Sequence, residues 1–300
     1  MNALSPARAT VPATAPVNAP VNALSVDVED YFQVQAFADV IPRAQWESIP
    51  HRVDANMERI LAQFARHRTR ATFFTLGWIA ERHPALVRRI VAEGHELASH
   101  GFDHLLADRM AEAAFRADVG RTRKLLEDVG GTPVIGYRAP TFSINRRNPW
   151  AFAALQAEGY RYSSSVFPVR HDLYGVPDAP RGPYRPEGTT LWELPMTTVR
   201  LLGRNLPCSG GGYFRLMPYA LYRAGLRRVN AREGRPGIFY FHPWEIDPEQ
   251  PVVAGADWRA RFRHRVHLRR MSARIERLLS DFAWDRMDQV YAALLAQPRR

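Results

Sequence analysis

The sequence predicts an α/β fold in which about seven parallel strands alternate with helices, either as a (β/α) barrel or as a large open sheet. Three observations carry this reading. Short, apolar, β-prone runs recur at wide intervals: ALSVDV (23–28), ATFFTL (71–76), HELASH (95–100), VIGYRA (134–139), YRYSSSV (160–166), LWELPMTT (191–198) and GIFYFH (237–242). Most of the intervals place apolar residues at i, i+3 and i+4, the period of a helix buried on one face. Glycines close several of these patterns, at Gly94, at Gly130 and Gly131, and at Gly159, where a chain can leave a helix through a left-handed residue. Strand, helix, glycine and strand in repeated order imply crossover connections, and hence parallel pairing.

Taken in order, the first 22 residues, MNALSPARATVPATAPVNAPVN, are rich in Pro, Ala, Val and Asn. They lack a continuous apolar stretch behind a basic start, so a disordered tail is expected here rather than a secretory signal. After the first strand, 54–67 sets Met57, Ile60, Leu61 and Phe64 on one stripe, and 80–93 does the same with Leu86, Val87, Ile90 and Val91. The segment 108–129 aligns Phe115, Val119, Leu125 and Leu126, and 150–158 and 218–233 are further helices. Five prolines and three glycines make 168–190 a long loop. Residues 258–297 read as a long amphipathic helix or a helical pair.

Composition bounds the function. Of the 300 residues, 46% are hydrophobic, enough for a sizeable core. The single cysteine, Cys208, excludes an internal disulfide framework and a Cys-rich metal site. The net charge of +11 would suit a nucleic acid, an anionic membrane surface or an acidic polymer. The excess is spread in arginines, densest between Arg259 and Arg277 and interrupted there by apolar residues, and only one lysine is present. No nucleic-acid motif accompanies it, so no nucleic-acid partner is expected. Peripheral contact with an anionic membrane remains open. No run approaches the 18 apolar residues of a membrane span, and the expected location is the cytoplasm, at most peripheral to a membrane.

In parallel β/α folds functional groups gather at the C-terminal ends of the strands. The first strand ends in SVDVEDYF, where Asp27 and Glu29 share one face and Asp30 opens the next loop. Acids in an apolar strand are costly unless paired or metal-bound, although a solvated strand end would also explain them. The third ends in ASHGFDH, where His100 and His104 can face one point across a turn at Gly101. Neutral imidazoles with a carboxylate bind Zn²⁺ or a similar ion and leave positions open. Two unrelated histidines are the bland alternative, and Asp103 between them reads as a turn residue. The fourth ends in GYRAPTFS, in which Arg138 would need an acid partner if buried, with Asp27 as candidate. The seventh ends in FYFHPWE, in which His242 closes an apolar run. Four strand ends thus carry acids, histidines and an arginine. That set suits metal-assisted hydrolysis: a metal-activated water, a carboxylate base and a histidine acid for the leaving amine.

These motifs, in this order over 24–243, resemble those of the polysaccharide deacetylase family, the NodB-homology carbohydrate esterases. SVDVEDYF resembles the first motif, HGFDH the second, RAPTF the third, LWELP loosely the fourth and FYFHP the fifth. The resemblance implies a distorted (β/α)7 barrel that removes N-acetyl groups from amino sugars with a divalent metal, Zn most readily. It implies Asp27 as general base, Arg138 as its orienting partner, His242 as general acid, and His100 and His104 as ligands. The first motif departs from the family's adjacent aspartates, because Val28 stands in the second place. Glu29 is then the implied carboxylate ligand, with Asp30 as alternative. Pro140, Trp192, Tyr213 and Trp244 are the residues expected to face substrate. The loop SGGG (209–212) lacks a P-loop ending, and reads as a loop beside the site, with Tyr213 and Phe214 near sugar, or as a plain turn.

The stretches VDVEDYFQV, SGGGYFRLMP and FYFHPWEID also resemble a branch associated with exosortase-type exopolysaccharide gene clusters in Gram-negative bacteria. Its members carry an additional C-terminal segment. This divides the chain into a tail (1–22), a barrel (23–254) and a helical C-terminal extension (255–300) packed on it. The implied substrate is an N-acetylated exopolysaccharide or its lipid-linked oligosaccharide precursor. Two other readings remain: a metal-free amidase of the allantoinase-like branch, and an inactive barrel that binds polysaccharide.

Overall fold

The computed structural model describes residues 20–297. Most of the expected tail lies outside the described residues, and Asn22, its last member, already belongs to a strand. The chain runs β1 (Asn22–Val28), α1 (Val53–Arg66), β2 (Thr72–Thr75), α2 (Gly77–Arg82), α3 (Pro84–Ala92), β3 (Glu96–Ser99), α4 (Glu112–Gly130), β4 (Gly136–Tyr137), α5 (Trp150–Ala157), β5 (Tyr162–Ser163) and β6 (Trp192–Glu193). A hairpin of β7 (Thr198–Leu201) and β8 (Arg204–Pro207) then leads to α6 (Gly211–Leu216), α7 (Tyr219–Arg232) and β9 (Ile238–Phe241). The chain closes with α8 (Trp258–Arg265), α9 (Leu268–Asp281), β10 (Trp284–Asp285), α10 (Met287–Val290) and α11 (Ala292–Leu295).

Each of the seven apolar runs contains a strand of one parallel sheet, ordered β9, β1, β2, β3, β4, β5, β6. The sheet curls into an open barrel. The gap between β6 and β9 is spanned by the chain on either side of the hairpin. Ile238 N donates to Thr197 Oγ1 at 2.6 Å, Cys208 N to Thr197 O at 2.9 Å, and Tyr240 N to Ser209 O at 2.8 Å. Gly210 makes this approach possible. Its φ is +136°, and a Cβ there would stand 1.9 Å from the Tyr240 carbonyl oxygen. SGGG is therefore not a plain turn: it is the chain's seam against β9, and its last residue, Gly212, borders the cavity.

The helix expected over 80–93 is two helices. Pro84 has no amide hydrogen to continue α2 and instead opens α3 at its first position. The long loop over 168–190 holds no helix or strand, only an isolated bridge from Tyr184 to Glu193. On α1, Met57, Ile60, Leu61 and Phe64 are fully buried as their spacing implies. They share one apolar cluster with Met271, Ile275 and Leu278 of α9, each buried side chain contributing about 1.5–3 kcal/mol.

The C-terminal segment differs from a purely helical extension. α8 and α9 form the expected pair, broken at His267 with φ +55°, but the chain then re-enters the sheet as β10. Ala23 pairs with Asp285 on one side and Ile238 on the other. β10 therefore lies on the β2 side of β1, in the place left free because β2 pairs with β1 only from Ser25 onward. Two residues are too short for periodicity to reveal, and a helical stripe precedes them.

Candidate active site and metal centre

Strand alternation sets the first part of the site. Ser25 and Asp27 share one face of β1, Val26 and Val28 pack on the other, and Glu29 follows in the turn just past the strand. All are buried. Arg138, at the end of β4 and 0% exposed, donates from Nη1 to Asp27 Oδ1 at 2.6 Å and to Ser25 Oγ at 2.8 Å. Its Nε and Nη2 reach Ser164 O and Oγ, both at 3.2 Å, and its guanidinium lies 4.1 Å from the Phe74 ring. The buried arginine therefore has the acid partner its position called for. This pairing leaves Asp27 Oδ2 turned toward His242, 3.9 Å from Nε2.

The turn after β3 brings the two histidines together. Gly101 takes φ +75°, and His104 itself is left-handed at φ +56°, an uncommon state for a side-chain-bearing residue. Asp103 points outward to Arg43 at 2.8 Å. One ligand atom from each of Glu29, His100 and His104 lies within 4.8 Å of the others, and all three residues are buried.

The cluster fits a divalent metal on three counts. His100 Nδ1 sits 2.8 Å from the Arg138 carbonyl; the Nδ1–H donates there, so Nε2 presents a lone pair inward. Burial lowers the His100 pKa to about 4, which keeps it neutral as a ligand must be. Glu29 Oε2 is buried and faces His104 Nε2 at 2.8 Å. Burial alone would raise the Glu29 pKa, but the His104 and His242 imidazoles hold it well below the usual carboxylate range. Two imidazoles and one carboxylate suit Zn²⁺ and similar ions and leave coordination positions open.

His242 stands at the end of β9, with Nε2 3.7 Å from Glu29 Oε1. Its Nδ1 lies 2.8 Å from Glu245 Oε1, and Arg215 Nε holds Glu245 Oε2 at 2.6 Å. Glu245 and Arg215 are both buried, and Arg215 also donates to the carbonyls of Arg263, His264 and Val266. Burial would lower the His242 pKa, but the Glu29, Glu245 and Asp27 carboxylates outweigh it and raise the value to about 9. Trp244 stacks between His242 and His264, at 5.1 and 4.1 Å between centroids, and donates from Nε1 to Glu29 Oε1 at 3.0 Å.

Asp27, Glu29, His100, His104, His242 and Trp244 line one cavity of about 790 Å³, with Arg138 and Glu245 behind its wall, large enough for an extended small ligand. Tyr213 and Trp244 are on its wall as expected, with Tyr174 and His171 from the long loop beside Tyr213. Four expectations are corrected. Asp30 is spent elsewhere: its carboxylate accepts from the backbone N–H of Tyr31, Arg52 and Val53, capping the start of α1, and does not join the ligand cluster. Pro140 packs toward Gly101, while Ala139, Thr141 and Phe142 face the cavity. Trp192 sits at the start of β6, away from the cavity, with Nε1 bonded to Leu294 O at 3.0 Å. Phe214 is a core residue packed on Tyr222 and Phe239.

Sequence reasoning missed Glu245 and Arg215. Glu245 had a signal: it is the third residue past His242, the spacing of a capping box, and the short helical turn Pro243–Ile246 shows one. Arg215 had none, because nothing local distinguishes a buried arginine from an exposed one.

Residues 45–162 match the family model described as "Polysaccharide deacetylase", and residues 164–292 match one described as "Domain of unknown function (DUF3473)". The first contains His100, His104 and Arg138; the second contains His242, Glu245 and Arg215; Asp27 and Glu29 precede both. A peptidoglycan-N-acetylglucosamine deacetylase of Bacillus cereus is 30% identical over 103 residues, 34% of this chain and 46% of that protein. A chitooligosaccharide deacetylase of Rhizobium leguminosarum bv. trifolii is 52% identical over 46 residues, 15% of this chain and 21% of that protein. The chain thus matches less than half the length of these curated relatives. A solved Mycobacterium smegmatis structure, provisionally described as a polysaccharide deacetylase, superposes with a TM-score of 0.57 at 20% identity over 99% of this chain and 98% of that one; it supports the fold.

Proposed function

We propose, from the match of residues 45–162 to the polysaccharide deacetylase family, that the chain is an amide hydrolase of that kind, a metal-dependent N-deacetylase of an N-acetylated exopolysaccharide or its precursor. The observation that carries the reading is the convergence of three units on one cavity: the Glu29, His100 and His104 cluster, the Asp27–Arg138 pair and the His242–Glu245 pair. The occurrence together of the deacetylase region and DUF3473 is typical of the exopolysaccharide-associated branch and supports that substrate class.

Glu29, His100 and His104 would hold the metal, which when bound supplies a Lewis acid for the acetyl carbonyl and a more acidic water. Arg138 holds Asp27 Oδ1, and the free Oδ2 takes the proton of the attacking water. His242, charged and facing the same space through Nε2, gives a proton to the leaving amine nitrogen. Glu245 holds Nδ1–H and so fixes which nitrogen faces the substrate. The cavity wall of Tyr213, Tyr174 and Trp244 offers apolar faces to a sugar ring. A metal-free amidase or an inactive barrel would have no need of a buried carboxylate converging with two histidines.

The test is acetate release from N-acetylglucosamine oligosaccharides by protein reloaded with Zn²⁺, beside metal content of the same sample and of a His100→Ala, His104→Ala variant. One ion per chain and acetate release, both absent from the variant, are expected. Acetate release that persists without metal would sink the metal-dependent reading.

A further inference from the structure

We propose that the rim of the cavity around α8 docks on an anionic lipid bilayer, so that the mouth opens at the membrane surface. α8 reads WRARFRHR, and His264 is its one buried residue. Trp258 is 63% and Phe262 55% exposed. Four residues apart, they are neighbours on one side of the helix. Their helix neighbours Arg259, Ala260 and Arg263 line the cavity, as do the exposed Leu173 and Leu216. Arg263 Nη1 reaches Asp172 Oδ2 at 3.1 Å, which draws the Leu173 loop against α8. Exposed apolar side chains from three separate segments therefore stand around one opening, an arrangement that marks a docking surface more than a solvated one.

Charge selects the occupant. Six arginines and one acid, Asp257, occupy positions 257–270. The Asp257 carboxylate caps α8, accepting from Arg259 N and Ala260 N, and Asp172 is tied to Arg263. Arg170 joins the cationic rim. Tryptophan and phenylalanine beside arginines are the side chains that settle at the headgroup level of a negatively charged leaflet. Trp258 and Phe262 stand outside the cavity lining, where they could not stack on a sugar held in it, and this favours lipid over glycan. The consequence for substrate rests on the deacetylase reading: a sugar still joined to a lipid carrier would enter the mouth from the bilayer.

The experiment is flotation of the full chain with phosphatidylcholine vesicles, with and without phosphatidylglycerol, for the wild type and a Trp258→Ser, Phe262→Ser variant. Binding to the anionic vesicles alone, weakened by salt and roughly tenfold or more in the variant, is expected. Acetate release from a soluble oligosaccharide should be unchanged in that variant. Quenching of wild-type tryptophan fluorescence by brominated lipid provides a second readout that needs no variant. No flotation and no quenching, or flotation equal in the variant, would overturn the proposal. So would retention on an acidic glycan matrix that is lost in the variant, which would assign the patch to sugar. Vesicle binding without acetate release would instead count against the deacetylase reading alone.

Discussion

His242 and Glu245 lie on one short turn with Nδ1 and Oε1 2.8 Å apart, and the second oxygen of Glu245 is held by the buried Arg215. The imidazole thus has one nitrogen committed to the protein and the other free for chemistry. Replacing Glu245 by Gln removes the charge that helps keep His242 protonated. Deacetylation should fall about 10–100-fold, and the alkaline limb of its pH profile should move to lower pH. Metal content should stay at the wild-type level. An unmoved limb would show that Glu245 acts only on stability.

Asp27→Asn keeps the side chain's shape and its acceptor oxygen for Arg138 but cannot take a proton. Acetate release should fall by about 10²–10⁴-fold, with bound zinc unchanged. Loss of metal in this variant would move Asp27 into the ligand set.

Removing both imidazoles, in the His100→Ala, His104→Ala variant, leaves Glu29 as a lone buried carboxylate. Metal binding should be lost at stoichiometric zinc, as measured by elemental analysis after dialysis. Thermal denaturation should show that wild-type protein gains stability from added zinc and the variant does not.

Glu96 titrates away from the reaction, at the start of β3. Burial and the nearby Asp288 raise its pKa to about 8, from an ordinary value of 4.5. The folded state therefore binds a proton that the unfolded chain releases between those values. The Glu96 contribution to stability is present below about 4.5 and is lost as pH rises through about 8. Glu96→Gln should remove that component: its Tm should decline less between acid and mildly alkaline pH than the wild-type Tm does. Parallel curves for the two proteins would contradict the shift.

Gly210→Ala should lower stability by about 2 kcal/mol or more, since the new Cβ meets the Tyr240 carbonyl and the backbone is in a region closed to alanine. Denaturant unfolding measures this directly. A Gly212→Ala control, with nothing nearer than 3.9 Å, should cost far less.

The strands were legible because each buried run is apolar and bounded by helical periodicity. The site was legible because a parallel fold collects its polar residues at strand ends, which is where Asp27, Glu29, His100, Arg138 and His242 stand. Asp30 and Glu29 could not be told apart by spacing. What separates them is that α1 begins close enough for Asp30 to satisfy its amides. Trp192 misled because it opens a strand that sequence could place but not phase, so the end near the cavity and the end near Leu294 looked alike. β10 escaped because its two residues carry no period and pair with a strand at the far end of the chain.

That distance has a consequence for how the molecule is made. Asn22 N donates to Ala283 O at 2.9 Å, and the two positions are 261 residues apart. During synthesis β9 and β10, which flank β1, emerge more than 200 residues after it. Until then, one edge of the strand that carries Asp27 and Glu29 is bare, and its apolar face has no α9 to cover it. Closing so long a loop is slow, and an unpaired strand edge invites association with other chains. The ribosome-bound chain should therefore need protection until β9 and β10 have emerged, and truncation just before Trp284 should yield aggregation rather than a smaller folded protein.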